Sequence, residues 1–431
     1  MGIGCTVFAS DTVEDDYALS YDKQADKLFL KANYYGYNYE TKYLYDVNFE
    51  YLHIADNPTP TLADVLVHLS TGPVPAFMLK PEHEEFSHRV DVEEFINSAI
   101  GEKTAKNWYT YIMYPQAPMN PNLLEYWERR GLTKEAYYDE EDDNNDGITG
   151  DYYVYSPIGA KESNNKSYPA IILFHGGGEP AYQTETFGFC QIAAEEGIIL
   201  IAPETFGEGD TLAKKTGNIN KVLQKVKEEY PIDESRLYAV GSSMGGGSSL
   251  AFSLVNIKSV AACAVMDQPV SLDTVRGSVT DKEIKNIQTY GLPIVYVGGL
   301  ADMYGLYGMR DWKYFYASEG NFDKYIAGWN KLMEAFEITG HDLTREKRQE
   351  YADNPRNMIE YHNGYPLDNV ETINYLNNTL YKGTFDGVDD LCSIIVENRP
   401  HMPVGFDAEN IWEFLSKYSR DLKTGMSTQI N

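Results

Sequence analysis

The 431-residue chain is short of basic charge: 36 Lys and Arg stand against 65 Asp and Glu, for a formal charge of −29. Nucleic acid and anionic membrane surfaces both need a basic footprint, so neither is expected as a partner. Long hydrophobic runs are also missing. No apolar stretch reaches the roughly 18 to 20 residues that span a bilayer, which predicts no membrane association. Cysteine is scarce. The four are Cys5, Cys190, Cys263 and Cys392, and none belongs to a C-x-x-C pair, so no zinc site is expected. The last three lie in apolar segments and read as buried thiols. No internal repeat is visible. The opening MGIGCTVFASD lacks a basic n-region, and its apolar part is short. Val7-Phe8-Ala9 fits the end of a trimmed export signal, and the same stretch fits an ordinary terminus. Secreted and cytoplasmic locations both stay open.

Hydrophobic residues make up 43% of the chain, enough for one large domain with a core of its own and a smaller one. Residues 1–140 form a Tyr-rich region of uncertain class. Within it, KLFLKANYY and TKYLYDVNFEYLHI alternate like strands, while Asp91 to Ile100 and Asn122 to Arg130 read as short helices. The acidic run YYDEEDDNNDGITGD, Tyr137 to Asp151, reads as a domain boundary. Asp142, Asn144, Asp146 and Gly147 match the opening of a calcium loop. Its twelfth position is Tyr153 rather than a bidentate Glu, so a solvated turn is the stronger expectation and no metal is assigned.

From about 150 the pattern turns regular. DYYVYSPIG, PAIILFHGGG, IILIAPE, RLYAVG, SVAACAVMD, LPIVYVGGL and LCSIIVEN read as strands. Thr186 to Glu196, Asn218 to Tyr230, Gly245 to Val255 and Ala408 to Tyr418 read as helices between or after them. Short apolar strands alternating with helices predict an α/β fold: a mostly parallel sheet covered on both faces over residues 150–425. Residues from about 303 to 385 break the rhythm and predict a helical lid insertion.

Gly241-Ser242-Ser243-Met244-Gly245 is G-x-S-x-G between a strand and a helix, the pattern of a nucleophile elbow. Only Ser243 has glycine two residues away on both sides, so Ser243 is the candidate nucleophile. A serine hydroxyl needs a base to take its proton and a carboxylate to orient that base. In the order Ser, acid, His, Asp302 after PIVYVGGL is the candidate acid and His401 after LCSIIVEN the candidate base. Asp267, at the end of AACAVMD, is the runner-up acid. His341 and His362 fall in the insertion, and His53, His68, His83 and His88 in the N-terminal region. After a strand, His175-Gly176-Gly177-Gly178 exposes backbone amides. Those of Gly176 and Gly177, with that of Met244, are the candidate oxyanion hole, and His175 reads as a brace for the loop.

LFHGGGE, RLYAVGSSMGG, VGGLAD, ENRPHMP and IWEFLSKYSRD together resemble the α/β-hydrolase esterases near polyhydroxybutyrate depolymerases and feruloyl esterases. The resemblance covers residues from about 150 to 425. It implies an α/β-hydrolase fold and a serine carboxylesterase with Ser243, Asp302 and His401 as triad, acting on a small-molecule or polymeric ester without cofactor. The long insertion and the N-terminal region depart from compact members and leave the substrate open. Tyr304, Tyr307 and Trp312, just behind the acid, are candidate substrate-binding residues because clustered aromatics can form an apolar wall with polar tips. Two alternatives remain: a peptidase of the prolyl-oligopeptidase-like group, whose usual propeller the N-terminal region is too short to supply, and a catalytically dead hydrolase fold used for binding.

Overall fold

The computed structural model describes residues 17–24, 27–37, 44–53, 119, 121–138, 148, 150–163, 165–176, 181–204, 214, 216–267, 281–299, 319–347, 350, 361–362, 365–375, 378–385, 387–396, 403 and 405–430. The proposed helix at Asp91 to Ile100 and the calcium-loop residues Asp142 to Asp146 lie outside them.

Three strands near the start, β1 (Tyr17–Asp22), β2 (Lys27–Tyr37) and β3 (Leu44–His53), form an antiparallel meander. Helix α1 (Pro121–Glu128) packs beside it. An ion pair of Lys23 with Glu125 at 2.7 Å fastens the two, and Arg129 Nη1 donates to the Lys23 carbonyl at 2.9 Å.

The body of the molecule is an 11-stranded sheet. It begins with β4 (Leu132–Tyr137) and β5 (Tyr152–Pro157), paired antiparallel from Leu132↔Pro157 to Tyr137↔Tyr152. The acidic run expected to divide two domains therefore joins neighbouring strands of one sheet. Then come β6 (Tyr168–Phe174), a 3₁₀ helix (Ala181–Phe187), α2 (Phe189–Glu196), β7 (Ile199–Pro203), α3 (Gly217–Glu229), β8 (Ile232–Ser242) and α4 (Met244–Val255). They are followed by β9 (Val260–Met266), α5 (Asp281–Tyr290), β10 (Ile294–Gly299) and α6 (Glu319–Ala335). The stretch expected as one helix from Thr186 to Glu196 is split. Gly188, left-handed at φ 83°, ends the 3₁₀ turn and starts α2.

The insertion after β10 is not wholly helical. Besides α6 it contributes β11 (Tyr361–His362), β12 (Tyr365–Tyr375) and β13 (Asn378–Phe385), which join β14 (Val388–Val396) antiparallel and extend the sheet. Trp329 of α6 is buried with its ring edge-on to Tyr365 and Phe385, at centroid distances of 6.1 and 5.9 Å. This part of the insertion is core. Its strands were hidden because polar residues fill both faces of DNVET, where alternation would otherwise show. The chain closes with α7 (Gly405–Leu415) and the hairpin of β15 (Tyr418–Arg420) and β16 (Ser427–Gln429). Buried Arg420 anchors the hairpin by donating to the carbonyls of Val260, Tyr290 and Gly291.

The sheet order is β11-β12-β13-β14-β10-β9-β8-β6-β7-β5-β4. From β7 to β14 through β6, β8, β9 and β10 the pairing is parallel, and β5 runs antiparallel beside β7. Side chains alternate across the sheet. Ile171 and Leu173 face a core layer with α2 and α7, while Ala170, Ile172 and Phe174 face one with α3, α4, α5 and α6. Two covered faces explain why these strands read as continuous apolar runs. Among the described residues no helix is long and apolar enough to cross a membrane.

Candidate active site

The C-terminal ends of parallel strands form the edge where such folds place ligand sites. β8 reaches that edge and reverses directly into α4. Ser243 sits at the reversal with φ 54° and ψ −122°, a combination that costs a non-glycine residue about 1–3 kcal/mol. The flanking glycines are obligatory on steric grounds. A Cβ on Gly241 would stand 2.1 Å from the Gly245 carbonyl oxygen. One on Gly245 would stand 2.1 Å from the Phe174 oxygen and 2.5 Å from that of His175. The turn is pinned by Ser243 N–H donating to Met266 O at 2.9 Å and by Gly246 N–H donating to Ser243 O at 2.9 Å. Ser243 is half-buried, and Met244, first residue of α4, is exposed. The positive end of the α4 dipole thus falls beside the serine.

Ser242 takes the opposite direction. It is buried, and its Oγ donates to Asp267 Oδ2 at 2.8 Å. Asp267 follows β9 at φ 56°, is fully buried, and donates its own N–H to Val297 O at 3.0 Å. The runner-up carboxylate is therefore engaged by the runner-up serine. Asp302 and His401 lie outside the described residues, as do Gly177, Tyr304, Tyr307 and Trp312. The strands that lead to the first two are described: β10 pairs with β9 and β14 with β10, both parallel, so both end at the edge that carries Ser243.

β6 ends at Phe174, and His175 and buried Gly176 follow. Both ring nitrogens of His175 face backbone carbonyl oxygens, and the one that carries the proton donates to its partner. Nδ1 lies 2.8 Å from Gly176 O, and Nε2 lies 2.8 Å from Glu204 O. Further along the chain, the 3₁₀ helix begins at Ala181, whose N–H donates to Glu204 Oε2 at 2.6 Å. Behind that helix lies a buried polar group. Lys134 Nζ of β4 pairs with Glu185 Oε1, which also accepts from the Tyr155 hydroxyl, and both paired side chains are excluded from solvent. Burial pulls the Lys134 ammonium down to about 7 and pushes the Glu185 carboxyl up. The Cys190 thiol, close by, is raised by burial as well. Glu204, Lys134 and Glu185 escaped the sequence reading. A lone polar residue in a short apolar segment gives no periodic signal, and Lys134 shares its strand face with Leu132 and Ala136 as if it were a core residue. Among the described residues no cluster of His, Cys, Asp and Glu could hold a metal.

The strand order, the antiparallel strand β5 beside β7 and the strained serine between β8 and α4 define an α/β-hydrolase fold with the strand–turn–helix geometry of a nucleophile elbow. Several known proteins to which the chain is similar carry ester-hydrolase names. A stretch of 106 residues, 23% of this chain, is 29% identical to a bifunctional acetylxylan esterase/xylanase of Neocallimastix patriciarum, and the match spans 15% of that protein's length. An acetyl xylan esterase from Aspergillus awamori superposes with a TM-score of 0.41 at 14% identity, covering 66% of this chain and 99% of that one. The feruloyl esterase module from Clostridium thermocellum gives 0.37 at 16% identity over 66% of this chain and 86% of the other. An S-formylglutathione hydrolase from Agrobacterium tumefaciens gives 0.39 at 14% identity over 66% and 95%. No family model matches the chain.

Proposed function

We propose that the chain is a serine hydrolase of carboxylic esters. Ser243 Oγ attacks the ester carbonyl while His401 takes its proton, and Asp302 orients the imidazole and stabilises its cation. The amides of Gly176, Gly177 and Met244 receive the developing oxyanion. The alcohol leaves with the proton from His401, and water activated by the same base releases the acid from the acyl-enzyme. The observation that carries this is the strain at Ser243: a serine held at φ 54° between two sterically forced glycines, at the edge where the strands leading to Asp302 and His401 also end. Such strain persists only where the surroundings impose it, and it is a mark of functional positions.

The relatives' names point to acetyl and feruloyl esters as the first substrates to try, and polyester-type esters follow from the motif resemblance. Tyr304, Tyr307 and Trp312 are proposed as the wall for an aryl or other bulky ester group. The test is turnover of 4-nitrophenyl acetate and butyrate, methyl ferulate and a peptidyl nitroanilide by the wild type and by Ser243→Ala. Ester turnover that falls by at least about a thousandfold in the variant is the expected result. Preference for the anilide moves the assignment to a peptidase. A folded wild type inert to every ester points to a binding protein.

A further inference from the structure

The segment from His175 to Ala181, which contains the candidate oxyanion glycines, has both ends tied to one residue. At the entry, His175 Nε2 meets the backbone oxygen of Glu204 at 2.8 Å; at the exit, the Ala181 N–H donates to the Glu204 carboxylate at 2.6 Å. We propose that Glu204 is the positioning residue of the oxyanion loop, holding its entry and exit at a fixed separation. The proposal rests on the esterase reading and adds to it a residue outside the proposed triad and oxyanion donors.

Glu204 is itself held. It follows β7 directly, and its own N–H donates to Asp151 O at 2.7 Å, so the clamp is anchored to the sheet through its main chain. The exit end is rigid too. Ala181 is fully buried, Thr184 Oγ1 donates to its carbonyl at 2.8 Å, and Glu185 is locked by Lys134 and Tyr155. The Ala181 N–H opens a 3₁₀ helix and so has no partner within it. Buried and without the carboxylate, it would be left unpaired, which drives the segment to move. The entry end bears on the elbow directly: Gly245 lies so close to the carbonyls of Phe174 and His175 that even a methyl group has no room. A shift of His175 and Gly176 is therefore a shift of the Gly176 amide, a candidate oxyanion donor, relative to Ser243. Differences well under 1 Å matter there, because such a donor acts on the transition state and barely on bound ester.

The experiment compares Glu204→Ala, Glu204→Gln and Glu204→Asp in the full chain. It reads kcat and KM for 4-nitrophenyl butyrate, inhibition by an alkyl trifluoromethyl ketone, whose serine adduct carries an oxyanion, and the melting transition. The alanine variant should lose about ten- to a hundredfold in kcat and as much in ketone affinity, with KM within about twofold. The glutamine variant, whose amide oxygen still accepts from Ala181, should keep most of both. Aspartate keeps the charge but falls short, and should behave like alanine. Should alanine fail to melt cooperatively, the aspartate–glutamine contrast decides. An active wild type whose alanine variant keeps its kcat and ketone affinity overturns the proposal alone, as does a glutamine variant as impaired as aspartate. A wild type that hydrolyses no ester overturns the esterase reading and this proposal with it.

Discussion

At the scale of single residues, the elbow separates two adjacent serines that the sequence leaves side by side. Glycine spacing was enough to favour Ser243. The reason Ser242 faces away was not legible, because it lies in a long-range hydrogen bond to Asp267. Ser243→Ala should abolish ester turnover with the fold intact. Ser242→Ala should cost stability, since it leaves the buried Asp267 carboxylate without that donor, and only a modest part of turnover. Thermal melts beside rates for the two variants check this, and equal losses of turnover would contradict it. The glycines give a second expectation. Gly245→Ala drives a methyl group into two backbone carbonyls that have no flexible end to yield, so activity should collapse. Gly217→Ala, at the start of α3 with nothing within 4 Å of the added carbon, should be neutral or stabilising by up to about 1 kcal/mol. Paired melts of the two variants test the steric argument without reference to substrate.

At the scale of elements, the pair Lys134–Glu185 ties β4 to the 3₁₀ helix through the interior. Breaking a buried pair from one side is costly, and replacing both partners is far less so. Lys134→Met alone should destabilise by about 3–5 kcal/mol, and adding Glu185→Leu should recover much of the loss. Denaturant melts of the single and double variants measure the coupling, and strictly additive losses would rule it out. The same site makes a pH prediction. In Glu185→Gln burial should still hold the folded Lys134 amine below its ordinary 10.5, toward the value of about 7 it has in the native chain, and unfolding restores 10.5. Unfolding then takes up a proton between those values. Raising the pH through that window should stabilise this variant, and a flat profile there would show that Lys134 keeps its proton when folded. The sequence displayed the central strands and covering helices because they repeat at simple periods. It concealed β4, whose buried lysine breaks the pattern, and β12 and β13, whose polar residues blur it.

At the scale of the whole molecule, local motifs named a candidate site and long-range pairing enlarged the sheet around it. The regular β-α alternation foretold the parallel sheet from β6 to β14. Neither the incorporation of β4 ahead of the acidic run nor the growth of the sheet through β11, β12 and β13 had a local signal, since both depend on which strand becomes the neighbour. That extension places α6, with buried Trp329, Leu332 and Met333, in the same core layer as the elbow helix α4. The central claim is that the whole assembly presents one activated serine, and activity-based labelling tests it most directly. The native chain is treated with a fluorophosphonate probe, digested, and the modified residue is mapped by mass spectrometry. A single adduct on Ser243, absent after heat denaturation and absent from His401→Ala, is the expected result. An adduct on Ser242, or a folded chain that takes up no probe, would contradict it.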